Sequence, residues 1–245
     1  MKRMTIIFLF SLSFVCIATY SQKPNYKEPN LYGISVNAGQ GSFASAFSWE
    51  HRYLIGKKSR FSIGYGLRFT NFIGSDLIYA TAPAKYTSGK SSIASLFSKS
   101  ITANIDTVLF EKSQTNSLNG AVFLAYNLPY WKYKFELGVN IDLAGFTLGS
   151  RQKGIYKNNT VSAKPTPFNL LLIGDSDLGS LNSEWYLRYR ATKQFAIKVG
   201  YSFLFTEYTT DQKIQRLPNS VEINDRFRSK SGMLLLGVLF VPFHK

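Results

Sequence analysis

Almost no cysteine occurs in this sequence. The one present, Cys16, lies in an apolar stretch near the N-terminus, so nothing downstream forms a disulfide or a cysteine metal site. Histidine is nearly as scarce, with only His51 and His244, and the P-loop, GxSxG and HExxH patterns are missing. That leaves little for metal-assisted or acid–base catalysis, so neither histidine is assigned a catalytic role and no cofactor is expected. Acidic residues are outnumbered two to one, 14 against 29 Lys and Arg, for a formal charge of +15, which favours nucleic acid, acidic lipid or anionic sugar as a neighbour. Also missing is any unbroken apolar run of the ~18 residues that a membrane-spanning helix needs. Yet 45% of the residues are hydrophobic and 16% aromatic, so the chain must own a packed core or a lipid-facing surface.

The first residues form a separate object. Lys2 and Arg3 precede the apolar run Thr5–Ala18, and Thr19-Tyr20-Ser21 sets small residues three apart, the pattern of an exported leader. A signal peptide over 1–21 is expected, with a single domain over 22–245. Its removal takes away Lys2 and Arg3, lowering the charge from +15 to +13, and takes Cys16 with them. Export makes nucleic acid the least suitable of the three neighbours.

Period-two alternation marks eight segments, near 31–38, 43–55, 59–73, 115–128, 133–149, 181–191, 194–208 and 228–243. In "FELGVNIDLAGFTLG" (135–149), Phe135, Leu137, Val139, Ile141 and Leu143 share one face, with Glu136, Gly138, Asn140 and Asp142 on the other. "RFSIGYGLRF" and "FAIKVGYSFLF" repeat the arrangement: bulky apolar residues oppose Gly, Ser and an occasional charge. A solvated face would have no reason to be small. The crowded bore of a narrow barrel would, so the apolar face is assigned to lipid. The charges on the small face are Glu50, Glu136, Asp142 and Glu184 with Arg52, Arg68, Arg188, Arg190 and Lys198, read as an interior ion-pair network. Aromatics near strand ends, among them Trp49, Tyr53, Trp131, Tyr189 and Tyr208, suit the two membrane interfaces.

Connections alternate in length. Short ones fall at Gly56-Lys57-Lys58, Pro129-Tyr130-Trp131-Lys132 and Thr192-Lys193, and these share one end with both termini. Gly39-Gln40-Gly41-Ser42 and the long stretches 74–114, 150–180 and 209–227 lie at the other, the plan of tight periplasmic turns and long extracellular loops. The expected fold is all-β, an eight-stranded antiparallel up-and-down transmembrane β-barrel. Within the loops, "SSIASLFSKS" (91–100) reads as a short helix. "GDSDLGS" (174–180) reads as a turn and not a calcium loop, for want of a later bidentate Glu. Lys153, Lys157 and Lys164 with the apolar Phe168, Leu170, Leu171 and Leu172 form a candidate interaction segment; its apolar run is read first as folding back over the barrel mouth or as extending a strand above the membrane, and otherwise as a partner- or lipid-binding patch.

With these features in view, the chain resembles the small eight-stranded outer-membrane barrels of Gram-negative bacteria, OmpA-like and OmpW-like in the broad sense, and the "YSQ" leader ending looks like exported proteins of Bacteroidota. The resemblance covers the whole chain beyond the leader and rests on pattern. It implies an outer-membrane, cell-envelope location. It implies as partners outer-membrane lipid, lipopolysaccharide and the barrel-assembly machinery, which in such families reads an aromatic last residue; here Phe240 and Phe243 are followed by His244 and Lys245. The expected function is that of a monomeric, non-enzymatic barrel with a filled interior, structural or acting through its extracellular loops. The alternatives are a porin-like channel for small solutes, a lipid A-modifying enzyme, or a subunit of a secretion or assembly complex.

Overall fold

A computed structural model describes residues 30–56, 60–90, 98–128, 134–172, 176–217 and 223–242. The expected leader, most of the helix expected over 91–100, most of the 56–58 and 129–132 turns, Asp175 and Phe243 lie outside these residues. Among the described residues thirteen strands run in chain order: β1 (Asn30–Gly39), β2 (Ser42–Ile55), β3 (Phe61–Thr81), β4 (Thr107–Asn127), β5 (Phe135–Leu148), β6 (Gln152–Tyr156), β7 (Asn159–Pro165), β8 (Phe168–Leu170), β9 (Leu181–Arg190), β10 (Phe195–Thr210), β11 (Gln215–Arg216), β12 (Ile223–Asn224) and β13 (Arg226–Phe240). A five-residue helix, Ala84–Ser88, lies between β3 and β4.

Eight of these strands, β1, β2, β3, β4, β5, β9, β10 and β13, pair antiparallel with their neighbours, and β13 returns to β1 through Tyr32–Phe240 to Ala38–Leu234, so the ring has no open edge. All eight correspond to the segments marked by alternation. In β5, Leu137 faces outward while Glu136, Asn140 and Asp142 are buried, so the small polar face of this strand is the interior one. At the β4–β5 register shift beside Gly120, Leu143 is an extra residue, so outward positions continue as Ala144, Phe146 and Leu148. That bulge moves the alternation by one place.

The long connections are not loops hung on a barrel. β3 and β4 keep one register from Phe61–Tyr126 to Ala80–Thr107, interrupted only at Asp76, and so run well beyond the eight-stranded ring. Ser75 and Asp76 are both exposed, Asp76 with a φ of 54°, as are Glu111 and Lys112 opposite; beyond them the inward residues become Tyr79, Val108 and Phe110. The β6–β7 hairpin then bridges β4 to β10, through Leu109–Ile155 on one side and Thr209–Lys164 on the other, and β13 rejoins β3 at Arg228–Ala80. The strands β3, β4, β6, β7, β10 and β13 thus close a second, six-stranded ring stacked on the first. The sequence reading placed loops over 74–114 and 150–180. Strand was missed there because β6 (QKGIY) and β7 (NTVSAKP) are short and carry little apolar alternation.

Candidate functional site: the filled bore and the outer rim

Inward side chains of one strand show how the interior is layered. On β10, Ala196 joins an apolar cluster with Leu31, Leu239 and Val241 at the turn end; Lys198 comes next, in a charged layer; Leu204 packs with Ala44, Phe72 and Met233; and Tyr208 sits in an aromatic cluster inside the second ring. Three apolar layers therefore bracket one charged layer. Tyr79, Phe110 and Tyr208 form the heart of the last, with Phe110 and Tyr208 stacked at 4.9 Å and Tyr79 edge-on to Phe110 at 5.0 Å. Tyr208 donates its hydroxyl proton to the Gln114 carbonyl (2.9 Å), and the Tyr79 hydroxyl pairs with that of Thr206 (2.9 Å), so the buried rings leave neither oxygen unbonded.

The nine charges of the expected network all lie inside the ring and are buried. Arg68 donates from Nε and Nη2 to Asp142 Oδ1 (2.9 and 2.6 Å), approaches Glu184 Oε2 with Nη1 (3.0 Å), and donates from Nη2 to the Asn182 carbonyl (2.5 Å). Lys198 pairs with Glu184 at 2.5 Å and lies 4.6 Å from the centre of the Tyr186 ring. Glu136 gathers three guanidinium groups, those of Arg52 (2.6 Å), Arg190 (2.8 Å) and Arg188 (3.3 Å), while Arg52 also pairs with Glu50 and donates to the Tyr186 hydroxyl (2.9 Å). Gly138 lies beneath the Tyr186 ring, where any Cβ would collide with it; absence of a side chain there is what admits the tyrosine to the bore. Charges taken out of water are tolerable only when paired, and each of the nine has a partner of opposite sign in a layer that crosses the bore from β2 and β3 to β5, β9 and β10, although Glu50 Oε1 and Glu184 Oε1 accept no hydrogen bond.

A second cluster escaped the sequence reading. Glu207, Arg226 and Arg228 occupy outward positions on β10 and β13, yet Glu207 is fully buried and Arg228 nearly so. Residues 166–172 and 176–178 cover them from outside: both arginines donate to Glu207, Arg226 also donates to the Asp177 carbonyl (2.9 Å), and Asp177 Oδ1 accepts the Leu172 N–H (2.7 Å). The available signal was an acid at lipid-facing parity with two arginines at matching parity. Such charges must lie beyond the apolar band or be covered. Asp177, the second carboxylate of "GDSDLGS", is thus a clasp within a turn.

The interaction segment is split by the structure. Lys153 and Lys157 lie on the β6–β7 hairpin, where Lys157 pairs with Asp106 (2.9 Å), and Lys164 lies exposed on β7. Phe168 and Leu170 belong instead to β8, which fills the wall beside β5 above the last β5–β9 pair, with Phe168 against Phe146 (5.6 Å between rings). Phe168, Leu170, Leu171 and Leu172 are all exposed on the outside, extending the apolar exterior and not folding back over the mouth. At the hairpin, the Asp106 carboxylate holds the Lys157 ammonium above the usual lysine range, and burial together with Asp106 pushes the Tyr156 phenol upward.

Outside, the wall is apolar over a band. Phe195, Ile197, Val199 and Tyr201 on β10 and Leu234, Leu236, Val238 and Phe240 on β13 are exposed, Leu234 to 74%. From Phe195 to Phe205 a strand tilted by ~40° climbs roughly 25 Å, the height of the apolar belt of a transmembrane barrel. His51 lies on this outer face at the turn end, hydrogen-bonded to Asn30 (2.9 Å) and ringed by Tyr53 (4.9 Å), Tyr65 (5.5 Å) and Trp49 (6.5 Å), which makes it part of an aromatic girdle.

A closed ring with the described charges of the band turned inward and an apolar exterior is an eight-stranded transmembrane β-barrel. Bacterial outer-membrane barrels are single chains with an even number of strands and an apolar exterior band, and this chain is an outer-membrane β-barrel of that class. No protein-family model matches the chain, and no curated protein matches its sequence. Among solved structures it is similar to Neisserial surface protein A (8% identity, TM-score 0.39, covering 89% of this chain and 99% of that one). It is also similar to a de novo designed transmembrane β-barrel (10%, 0.32, 90% and 98%) and to the CymD monoaromatic hydrocarbon channel (8%, 0.21, 89% and 90%). These likenesses are too distant to carry function; the class rests on the closed ring and its exterior.

Proposed function

We propose that this chain is a sealed, non-enzymatic barrel that works at the outer face of the membrane, where a basic rim engages the phosphates of lipopolysaccharide. The observation that supports the first half is the alternation of layers among the described residues: an apolar cluster at the turn end, another beneath the second ring and an aromatic core within it. A bore of eight strands has room for side chains and little else. The second half draws on Lys112, Arg151, Lys153, Lys164 and Lys230, exposed at or beyond the upper edge of the apolar band, where anionic headgroups lie. One chain closes the ring by itself, which supports a monomer inserted by the barrel-assembly machinery. The test is a planar-bilayer recording of the purified protein with lipid A mass analysis of cells that overproduce it. Quiet recordings and an unchanged lipid A mass are expected; stepwise conductance would return the solute-channel reading, and a shifted mass the enzyme reading.

A further inference from the structure

Alternation along β2 places Trp49, His51 and Tyr53 at successive outward positions near the turn end of the barrel, while Glu50 and Arg52 between them belong to the bore. Strand pairing adds a neighbour on each side: Asn30 of β1 and Tyr65 of β3 both lie opposite His51. The imidazole is thus the centre of a three-strand patch, with ring centres at 4.9 Å (Tyr53), 5.5 Å (Tyr65) and 6.5 Å (Trp49). Tyr53 stands at 73° to His51 and Trp49 at 84° to Tyr65, so ring faces meet at steep angles, as the walls of a cage do. Both tyrosines are about half exposed. The other described ring pairs at this end, Phe61–Tyr126, Phe135–Tyr189 and Phe195–Phe240, consist of Phe and Tyr alone.

One hydrogen bond fixes the chemistry at the centre. His51 Nδ1 lies 2.9 Å from Asn30 Oδ1, and an amide oxygen only accepts, so Nδ1 carries the proton. In the neutral ring Nε2 is then an acceptor, and among the described residues no group donates to it. An acceptor nitrogen beside three electron-rich rings attracts a cation that also has an N–H to give. We infer that this patch holds the primary ammonium of a phospholipid headgroup in the periplasmic leaflet, with an N–H on His51 Nε2 and its charge against the rings of Trp49, Tyr53 and Tyr65. The occupant is a lipid because the patch opens on the lipid-facing wall, where exposed Ile63 and Leu67, opposite Tyr53 and Trp49, continue the apolar surface for acyl chains. A bare anion would find no cation among these five side chains. The site is independent of the lipopolysaccharide reading, which concerns the opposite rim.

The test uses the full chain in detergent and native mass spectrometry with three phospholipids of matched acyl chains: phosphatidylethanolamine, whose cation has N–H donors, phosphatidylcholine, whose cation has none, and phosphatidylglycerol, which has no cation. Wild type should retain them in that order, the first about tenfold better than the last. His51→Phe keeps a ring and deletes Nε2, so it should bring phosphatidylethanolamine down to the level of phosphatidylcholine. Tyr53→Leu with Tyr65→Leu should bring both down towards phosphatidylglycerol, and Tyr65→Leu alone replaces the pair if the pair loses the mobility shift of a folded barrel on unheated gels. Trp185→Leu removes an exposed ring elsewhere on the wall and should leave the order unchanged. Equal retention of the three lipids by wild type, or the wild-type order in both His51→Phe and the tyrosine variant, would overturn the site. So would an equal loss of preference on Trp185→Leu, because ordinary interfacial aromatics would then account for it.

Discussion

Replacing Arg68 with Met removes the cation that ties β3 to β5 and β9 across the bore. Arg68 gives Asp142 two charge-assisted hydrogen bonds, at 2.9 and 2.6 Å, and approaches Glu184 at 3.0 Å. Glu184 keeps Lys198, at 2.5 Å, and Asn140, at 3.1 Å. Asp142 keeps only neutral donors, Asn119 Nδ2 (2.8 Å) and the Asn182 N–H (2.9 Å), and so becomes the uncompensated buried charge. At about 1.5–3 kcal/mol for each hydrogen bond to a charged group, losing two amounts to about 3–6 kcal/mol, in line with the 3–5 kcal/mol of breaking one side of a buried pair. Arg188→Met should cost much less, because Glu136 retains Arg52 and Arg190 at 2.6 and 2.8 Å. The double variant Arg68→Met, Asp142→Leu should recover most of the loss, since an apolar pair of similar volume replaces an ion pair at little cost. Urea unfolding in phospholipid vesicles, followed by tryptophan fluorescence, gives all four values. If Arg68→Met unfolds within 1 kcal/mol of wild type, or the double variant is no better than the single, the charged layer is not what holds these strands together.

Phe110→Ala should destabilise the second ring by about 3–5 kcal/mol and expose the β6–β7 hairpin to protease, while the lower ring keeps its heat-sensitive gel mobility. Deleting 153–164 should do the same more severely, because Tyr156 and Ala163 leave the aromatic cluster with it; a deletion protein with native protease resistance would show that the hairpin is an ornament. Glu207→Gln should loosen the docking of Asp177, read as faster cleavage near that residue, because Arg226 and Arg228 lose their shared carboxylate. Tyr156 and Lys157 both hold their protons more tightly in the folded hairpin than in an unfolded chain. Their contribution is therefore complete below the ordinary tyrosine and lysine ranges and falls as pH climbs through the raised ones, so hairpin proteolysis should accelerate at strongly alkaline pH in wild type and less so in Lys157→Met.

Strand positions and the inward set of charges could be read from the sequence because a membrane wall enforces alternation: one face must be apolar for lipid and the other small for the bore. Arg68, Glu136 and Asp142 stood out as charges on the small face of otherwise apolar strands. The second ring was hidden because its rule differs. Its core draws Tyr79, Phe110, Tyr156, Tyr208 and Phe227 from five strands far apart in sequence, each with only one or two inward apolar residues, and the alternation of β3 and β4 reverses at Asp76 and Glu111–Lys112. Glu207 and its arginines were hidden for a related reason, since what buries them is a segment 30 to 50 residues away in the chain and not the parity of their own strands. β8 read as an apolar loop because it is three residues long, and its membership of the wall is set by pairing with β5.

The central claim is that the wall faces lipid outside and a closed, packed interior within, and single-cysteine spin labelling measures both sides at once. The chain's one native cysteine, Cys16, lies in the expected leader, so labels at Tyr201 and Leu236, outward, and at Ser35 and Ser202, inward, report without background. In lipid vesicles the outward labels should collide freely with oxygen and hardly with a water-soluble nickel chelate, while the inward labels should be immobilised and reached by neither. Inward labels open to the nickel chelate would mean a water-filled bore, and outward labels open to it would mean that the apolar face does not lie in lipid; either result contradicts the account.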